Sequence, residues 1–168
     1  MYPIVSIIMG STSDLPVMEK AAAFLNEMEI PFEMHALSAH RTPEAVEQFA
    51  KGVEKRGVKV ILAAAGMAAH LCGVIASMTT IPVIGVPINA SLDGMDALLS
   101  IVQMPPGIPV ATVGINGALN GAILAMQMLA IHDENLQAKL TEYKESLKTK
   151  IVKANDDLKK VSYPYKTN

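Results

Sequence analysis

The sequence predicts an α/β protein, a three-layer sandwich with a central parallel sheet, and three observations carry that expectation. Five apolar runs rich in strand-forming residues recur along the chain with helical segments between them. Each run is continuous rather than alternating, the pattern of a strand covered on both faces, as parallel strands joined by right-handed crossovers are. Polar, glycine-bearing loops follow the runs, where an open parallel sheet gathers its ligands.

Taken in order, the first strand is expected at 4–9, followed by a helix at roughly 15–28 with Ser13 or Asp14 as its cap. A second strand at 32–36 leads to a helix at 43–56, with Thr42 capping, Pro43 in the first helical position and Gly57 ending it. Strands at 58–64, 82–86 and 108–113 complete the sheet. The segment 117–131 is small and apolar on nearly every side and reads as a buried helix. From His132 the composition turns to lysine and glutamate, with Leu136, Leu140, Tyr143, Leu147 and Ile151 at helical intervals. This C-terminal helix either packs on its own sheet or reaches a neighbour, and the last residues, 163–168, are frayed or folded over a partner. The whole chain, 1–168, reads as a single catalytic domain with about 132–168 as a helical extension.

A chain of 168 residues is one domain by length and buries roughly 70% of its unfolded surface. No apolar run reaches the roughly 18 residues of a spanning helix, and the N-terminus lacks the basic-then-apolar order of a signal peptide, so a soluble cytoplasmic protein without membrane contact is expected. The single cysteine, Cys72, excludes an internal disulfide and a cysteine-clustered zinc site and reads as core. A net charge of -2 argues against a nucleic-acid partner. Between Lys59 and Lys139 there is no lysine or arginine, and before Asp133 the only acids there are Asp93 and Asp96. One small domain cannot hide so long a charge-poor interval on both faces, which predicts a homo-oligomer.

The loop Ser38-Ala39-His40-Arg41-Thr42-Pro43 sets an imidazole beside a guanidinium where a strand gives way to a helix. Histidine takes and returns a proton near neutral pH, and arginine presents a charged fork suited to phosphate. After the first strand, Gly10-Ser11-Thr12-Ser13-Asp14 offers two serines and helix N-terminal amides to an oxyanion, with Asp14 suited to ribose hydroxyls. A helix start with ordinary caps explains either loop equally simply. The loop lacks Gly-x-Gly-x-x-Gly and Gly-Lys-Ser/Thr, so neither a dinucleotide nor ATP is required. The third loop, 63–73, lines a small neutral space with one imidazole, His70, which on its own reads as structural. His35 and His132 read as structural, and the eleven methionines as gap-fillers.

Taken together, residues 10–14, 38–43, Ala-Gly-Met-Ala-Ala-His-Leu at 65–71 and Ser-Ile-Val-Gln-Met-Pro at 100–105 resemble the PurE family, class I, the N5-carboxyaminoimidazole ribonucleotide mutases of purine biosynthesis. The likeness runs in order through about residue 130. It implies a flavodoxin-like fold, an octamer, a phosphoribosyl aminoimidazole substrate, and a carboxylate that migrates from the exocyclic amine to the ring carbon without metal or cofactor. By the same resemblance His40 carries the proton, and Ser11, Ser13 and Arg41 take the phosphate end with help from Ser38. Asp14 would take the ribose, while Ala69, His70 and Leu71 border the base and a carbon dioxide pocket. Met67 and Cys72 stand where relatives carry glycine and proline. The alternative is the direct aminoimidazole ribonucleotide carboxylase, a branch similar to this chain but with lysine at the place of Arg41.

Overall fold

In the computed structural model, which describes residues 2–168, five strands form one parallel sheet: β1 (Val5–Met9), β2 (Phe32–Ala36), β3 (Val60–Gly66), β4 (Val83–Ile88) and β5 (Ala111–Thr112). Their order is β2-β1-β3-β4-β5, the doubly wound arrangement in which the chain leaves β1 to one side and later returns to the other. That reversal opens a crevice beyond the carboxyl ends of β1 and β3, where Met9 stands level with Ala36 and Ala64.

Helices cover both faces. On one face Ile8, Ile61 and Ala63 join a core with Val46 and Phe49 of α2 (Pro43–Gly52), Leu71 and Ile75 of α3 (Leu71–Ala76), and Ile101 of α4 (Met95–Val102). Alternate strand residues point the other way, toward the side where right-handed crossovers place α1 (Leu15–Glu27) and α5 (Ala118–Ala130). Every residue of β1 is buried, which is why its sequence is a continuous apolar run. Close approach of the layers depends on two glycines. A Cβ on Gly121 of α5 would lie 2.8 Å from Leu62, and one on Gly85 of β4 would lie 2.3 Å from Ile101 of α4.

Several expected boundaries shift for identifiable reasons. β5 shrinks to two residues, because prolines at 105, 106 and 109 remove ladder donors from an edge strand. α2 ends at Gly52 rather than near Gly57, and Gly57, at φ 90°, closes a turn that returns the Val58 N–H to the Val53 carbonyl at 3.2 Å. Thr42 precedes Pro43 as expected, yet its hydroxyl makes no cap bond to α2 and serves the loop before it. Much of the third loop is ordered structure: β3 runs to Gly66 and α3 opens at Leu71, leaving 67–70 as the turn. α5 is buried along Ala118, Gly121, Ala122, Ala125, Met126 and Ala130 only, while Leu119 is exposed.

The chain divides into two compact units, one through Leu129 and one of Ala130–Asn168. In the second, Asp133 caps α6 (Glu134–Lys159) by accepting the Leu136 N–H at 3.0 Å. The expected apolar stripe divides along this helix, with Leu136 and Leu140 buried and Leu147 and Ile151 exposed. Ion pairs at helical spacing, among them Lys159 with Asp156 at 2.8 Å, lace its solvated surface.

Candidate active site

Three strand-end turns of the first unit converge on one cavity of about 610 Å³, within the range that holds a small organic ligand. The turn after β1 brings Ser11, Ser13 and Asp14, the turn after β2 brings Ser38, His40 and Arg41, and the turn after β3 brings Ala69 and Leu71. These are eight of the nine expected site residues. The ninth, His70, meets the site through His40: His40 Nε2 and His70 Nδ1 are 3.1 Å apart, with the rings edge to face. One of these nitrogens donates and the other accepts, so a single proton sits between the two imidazoles.

Local bonding explains how each turn holds its side chains. The Ser38 N–H donates to the Thr42 hydroxyl at 3.0 Å, and that hydroxyl and the Thr42 N–H donate back to the Ser38 carbonyl at 3.1 and 2.8 Å. The closed ring of bonds leaves His40 and Arg41 at its tip. Arg41 is then held twice more: its backbone N–H and its Nε donate to Ser38 Oγ at 3.2 and 3.3 Å, and a terminal nitrogen donates to the Gly10 carbonyl at 2.8 Å. The guanidinium thus ties the second turn to the first, and the rest of its fork stays available to an anion. In the first turn Ser11 caps a single 3-10 turn by accepting the Ser13 N–H at 3.3 Å, and the Ser13 hydroxyl donates to Asp14 at 3.3 Å.

Asp14 is 7% exposed. Burial pushes its carboxyl above the ordinary value of 3.8, an effect only partly offset by the Ser13 and Ser11 hydrogen bonds and the nearby Arg41 charge. A buried acceptor beside serines and a guanidinium suits hydroxyl groups of a sugar better than a second anion. Cys72, by contrast, is core. Its Sγ donates to the Ala63 carbonyl at 3.3 Å, and burial pushes the thiol up to about 12, which removes it as a nucleophile.

Two contributions lay outside sequence reasoning. The Gly10 carbonyl that orients Arg41 is a backbone atom, for which no residue type signals. Ala90, after β4, lines the cavity in space that Gly66 leaves free, since a Cβ on Gly66 would stand only 3.0 Å from that of Ala90. The motif at 100–105 finds its place one layer back: the Ser100 hydroxyl of α4 donates to the Ala69 carbonyl at 3.2 Å and so braces the turn that carries His70.

Known proteins resemble this chain in sequence and in fold. Residues 4–150 match the family described as AIR carboxylase. The N5-carboxyaminoimidazole ribonucleotide mutase of Pyrococcus abyssi is 58% identical over 87% of this chain and 84% of its own length. The enzyme of that name from Methanocaldococcus jannaschii is 54% identical over 94% of this chain and 98% of its own. Among solved structures, Treponema denticola PurE superposes with a TM-score of 0.85 at 31% identity, covering 94% of this chain and 99% of that one.

Proposed function

The chain belongs to the AIR carboxylase family, and on that premise we infer that its strand-end cavity carries out the N5-carboxyaminoimidazole ribonucleotide mutase reaction through His40. It is an isomerase of purine biosynthesis, and the direct carboxylase is not favoured. The observation that carries the residue assignment is the convergence of His40, Arg41, Ser11 and Asp14 on one cavity from two different turns.

In this reading Arg41 and Ser11, with Ser13, hold the phosphate, and Ser38 keeps the guanidinium aimed. Asp14 accepts from the ribose hydroxyls. The base then lies toward Ala69 and Leu71, beside His40 and its partner His70. The carbamate C–N bond breaks, its electron pair stays on the amine, and His40, as an imidazolium, protonates that nitrogen. Carbon dioxide is left in the pocket. The electron-rich ring carbon attacks it, and the ring proton passes to the now neutral His40, which ends as it began. One group serves both steps because they run in sequence, and the sum is an isomerisation with no net proton. When His40 is the imidazolium, its Nε2 proton is donated to His70 Nδ1, which holds the ring in place beside the base.

The active form in this reading is a homo-oligomer, an octamer by family likeness. The charge-poor interval supports it, as does α4, which turns Met95, Leu99 and Val102 outward on one face. We also assign the enzyme to the cytoplasm, since a phosphorylated substrate does not cross a bilayer unaided. Among the described residues no helix is long and apolar enough to span a membrane.

The test is turnover. With the carbamate as substrate the protein forms 4-carboxy-5-aminoimidazole ribonucleotide, whereas aminoimidazole ribonucleotide with dilute bicarbonate yields none. His40→Asn still binds the substrate and loses kcat by about 10²–10⁴-fold. A native rate in that variant would refute the proton-carrier role.

A further inference from the structure

Met67 combines two features that ordinary packing does not explain. Its backbone sits at φ 55°, in the left-handed region where a side chain is strained and glycine is not. The residue is also 60% exposed in the single chain, so burial within its own subunit does not compensate for that conformation. Strain held without a packing reward is characteristic of working positions, and Met67 lines the cavity.

The chemistry of the cavity says what such a side chain is for. If carbon dioxide stands free between the two half-reactions, as the proposed function requires, no hydrogen bond or ion pair holds it strongly, because it is neutral and has no net dipole. Only steric closure retains it. The neighbouring wall, built from Ala65, Gly66, Ala68, Ala69 and Ala90, leaves room for a ring but has no side chain long enough to reach across an opening. Leu71, the other large apolar lining residue, is buried in the core below. Met67 alone among the lining residues is long, apolar and largely exposed on its own chain. Its unbranched thioether adapts to whatever surface it meets, and it supplies neither water nor a proton to the intermediate.

We propose that the Met67 side chain folds over the occupied cavity and retards escape of carbon dioxide between decarboxylation and recarboxylation. It acts by closing the site and takes no part in proton transfer. The backbone on either side of it is held, by the pairing of Gly66 with Ile88 in the ladder between β3 and β4 and by the Ser100 hydroxyl on the Ala69 carbonyl at 3.2 Å. Closure therefore falls to side-chain torsions rather than to movement of the turn.

The proposal rests on the mutase reaction, and the experiment separates the two. The full-length protein is given substrate with a ¹³C-labelled carbamate in buffer containing unlabelled carbon dioxide, with enzyme-free decarboxylation subtracted. Label retained in the product and aminoimidazole ribonucleotide released are then measured together. The native protein retains label. Met67→Gly shows a several-fold larger fraction of turnovers that lose label and release the decarboxylated ribonucleotide, Met67→Ala behaves similarly, and Met67→Leu restores retention. Met67→Gly also keeps or raises Tm, since glycine accepts the left-handed backbone and little packing is lost, so its leak is not unfolding. Native retention of label in both Met67→Gly and Met67→Ala overturns the proposal while leaving the mutase assignment intact. Failure of the native protein to make product overturns the assignment itself.

Discussion

Asp14, assigned to the ribose in the proposed function, carries a buried charge that costs the fold stability. A carboxyl raised above 3.8 by burial binds its proton more tightly in the folded chain than in the unfolded one. Stability therefore falls as pH rises through the window just above that value, and the loss persists at neutral pH. Asp14→Asn removes the buried charge. It is expected to raise Tm at pH 7 relative to the native protein, with the difference vanishing below the ordinary aspartate range, while KM for the ribonucleotide rises. Paired thermal melts across pH check the sign, and a variant less stable at pH 7 would show that the Ser13 and Arg41 contacts outweigh desolvation. Glu33 is the opposite case: burial raises it, but the Arg56 hydrogen bonds at 2.9 and 3.1 Å, aided by Ser6 and His35, bring it below its ordinary value. It contributes stability above about pH 4.5 that is lost as acid protonates it.

Among the elements, the helix-to-sheet distances decide whether the turns meet. Gly121→Val introduces branching where a single Cβ would already stand 2.8 Å from Leu62 and 3.3 Å from Val86. The better side-chain burial does not offset that overlap, and the variant is expected to lose about 2 kcal/mol. Chemical denaturation measures it, and an unchanged midpoint with unchanged slope would mean that α5 can move away without cost. The helices and strands were largely legible in the sequence because continuous apolar runs mark doubly covered strands and glycine and proline mark their ends. The extent of β5 was not, because the same prolines that punctuate 105–109 also remove its ladder donors and cut the expected strand to two residues. Thr42 misled for a related reason. A threonine before proline reads as a cap, yet its hydroxyl found both a donor and an acceptor in Ser38.

For the molecule as a whole, the charge-poor interval and the outward face of α4 belong to one surface problem. Leu99 is 50% exposed, with Met95 and Val102 one turn to either side on the same face. An apolar stripe of this kind is stable in water when another copy covers it. Leu99→Asp places a charge at its centre and is expected to reduce the assembly mass measured by light scattering, with activity falling in step. A native protein that runs as a clean monomer would remove the oligomer from the proposed function. Burial of Leu136 and Leu140 but not of Leu147 and Ile151 shows that periodicity marks the apolar face of a helix without saying how far along it cover extends.

The residue order by itself determined the α/β class, the parallel sheet and the turns that carry the polar groups, because these follow from local periodicity and from the chemistry of glycine, proline and caps. It also supplied the kinds of group at the site, an imidazole, a guanidinium, two serines and a carboxylate. Only the tertiary structure decided that His40 meets His70 at 3.1 Å, that Arg41 is aimed by a backbone carbonyl 31 residues away, and that Met67 stands strained at the cavity. Those facts depend on strand order and on how closely β1, β3 and their helices approach, and such long-range geometry leaves no periodic trace in the chain.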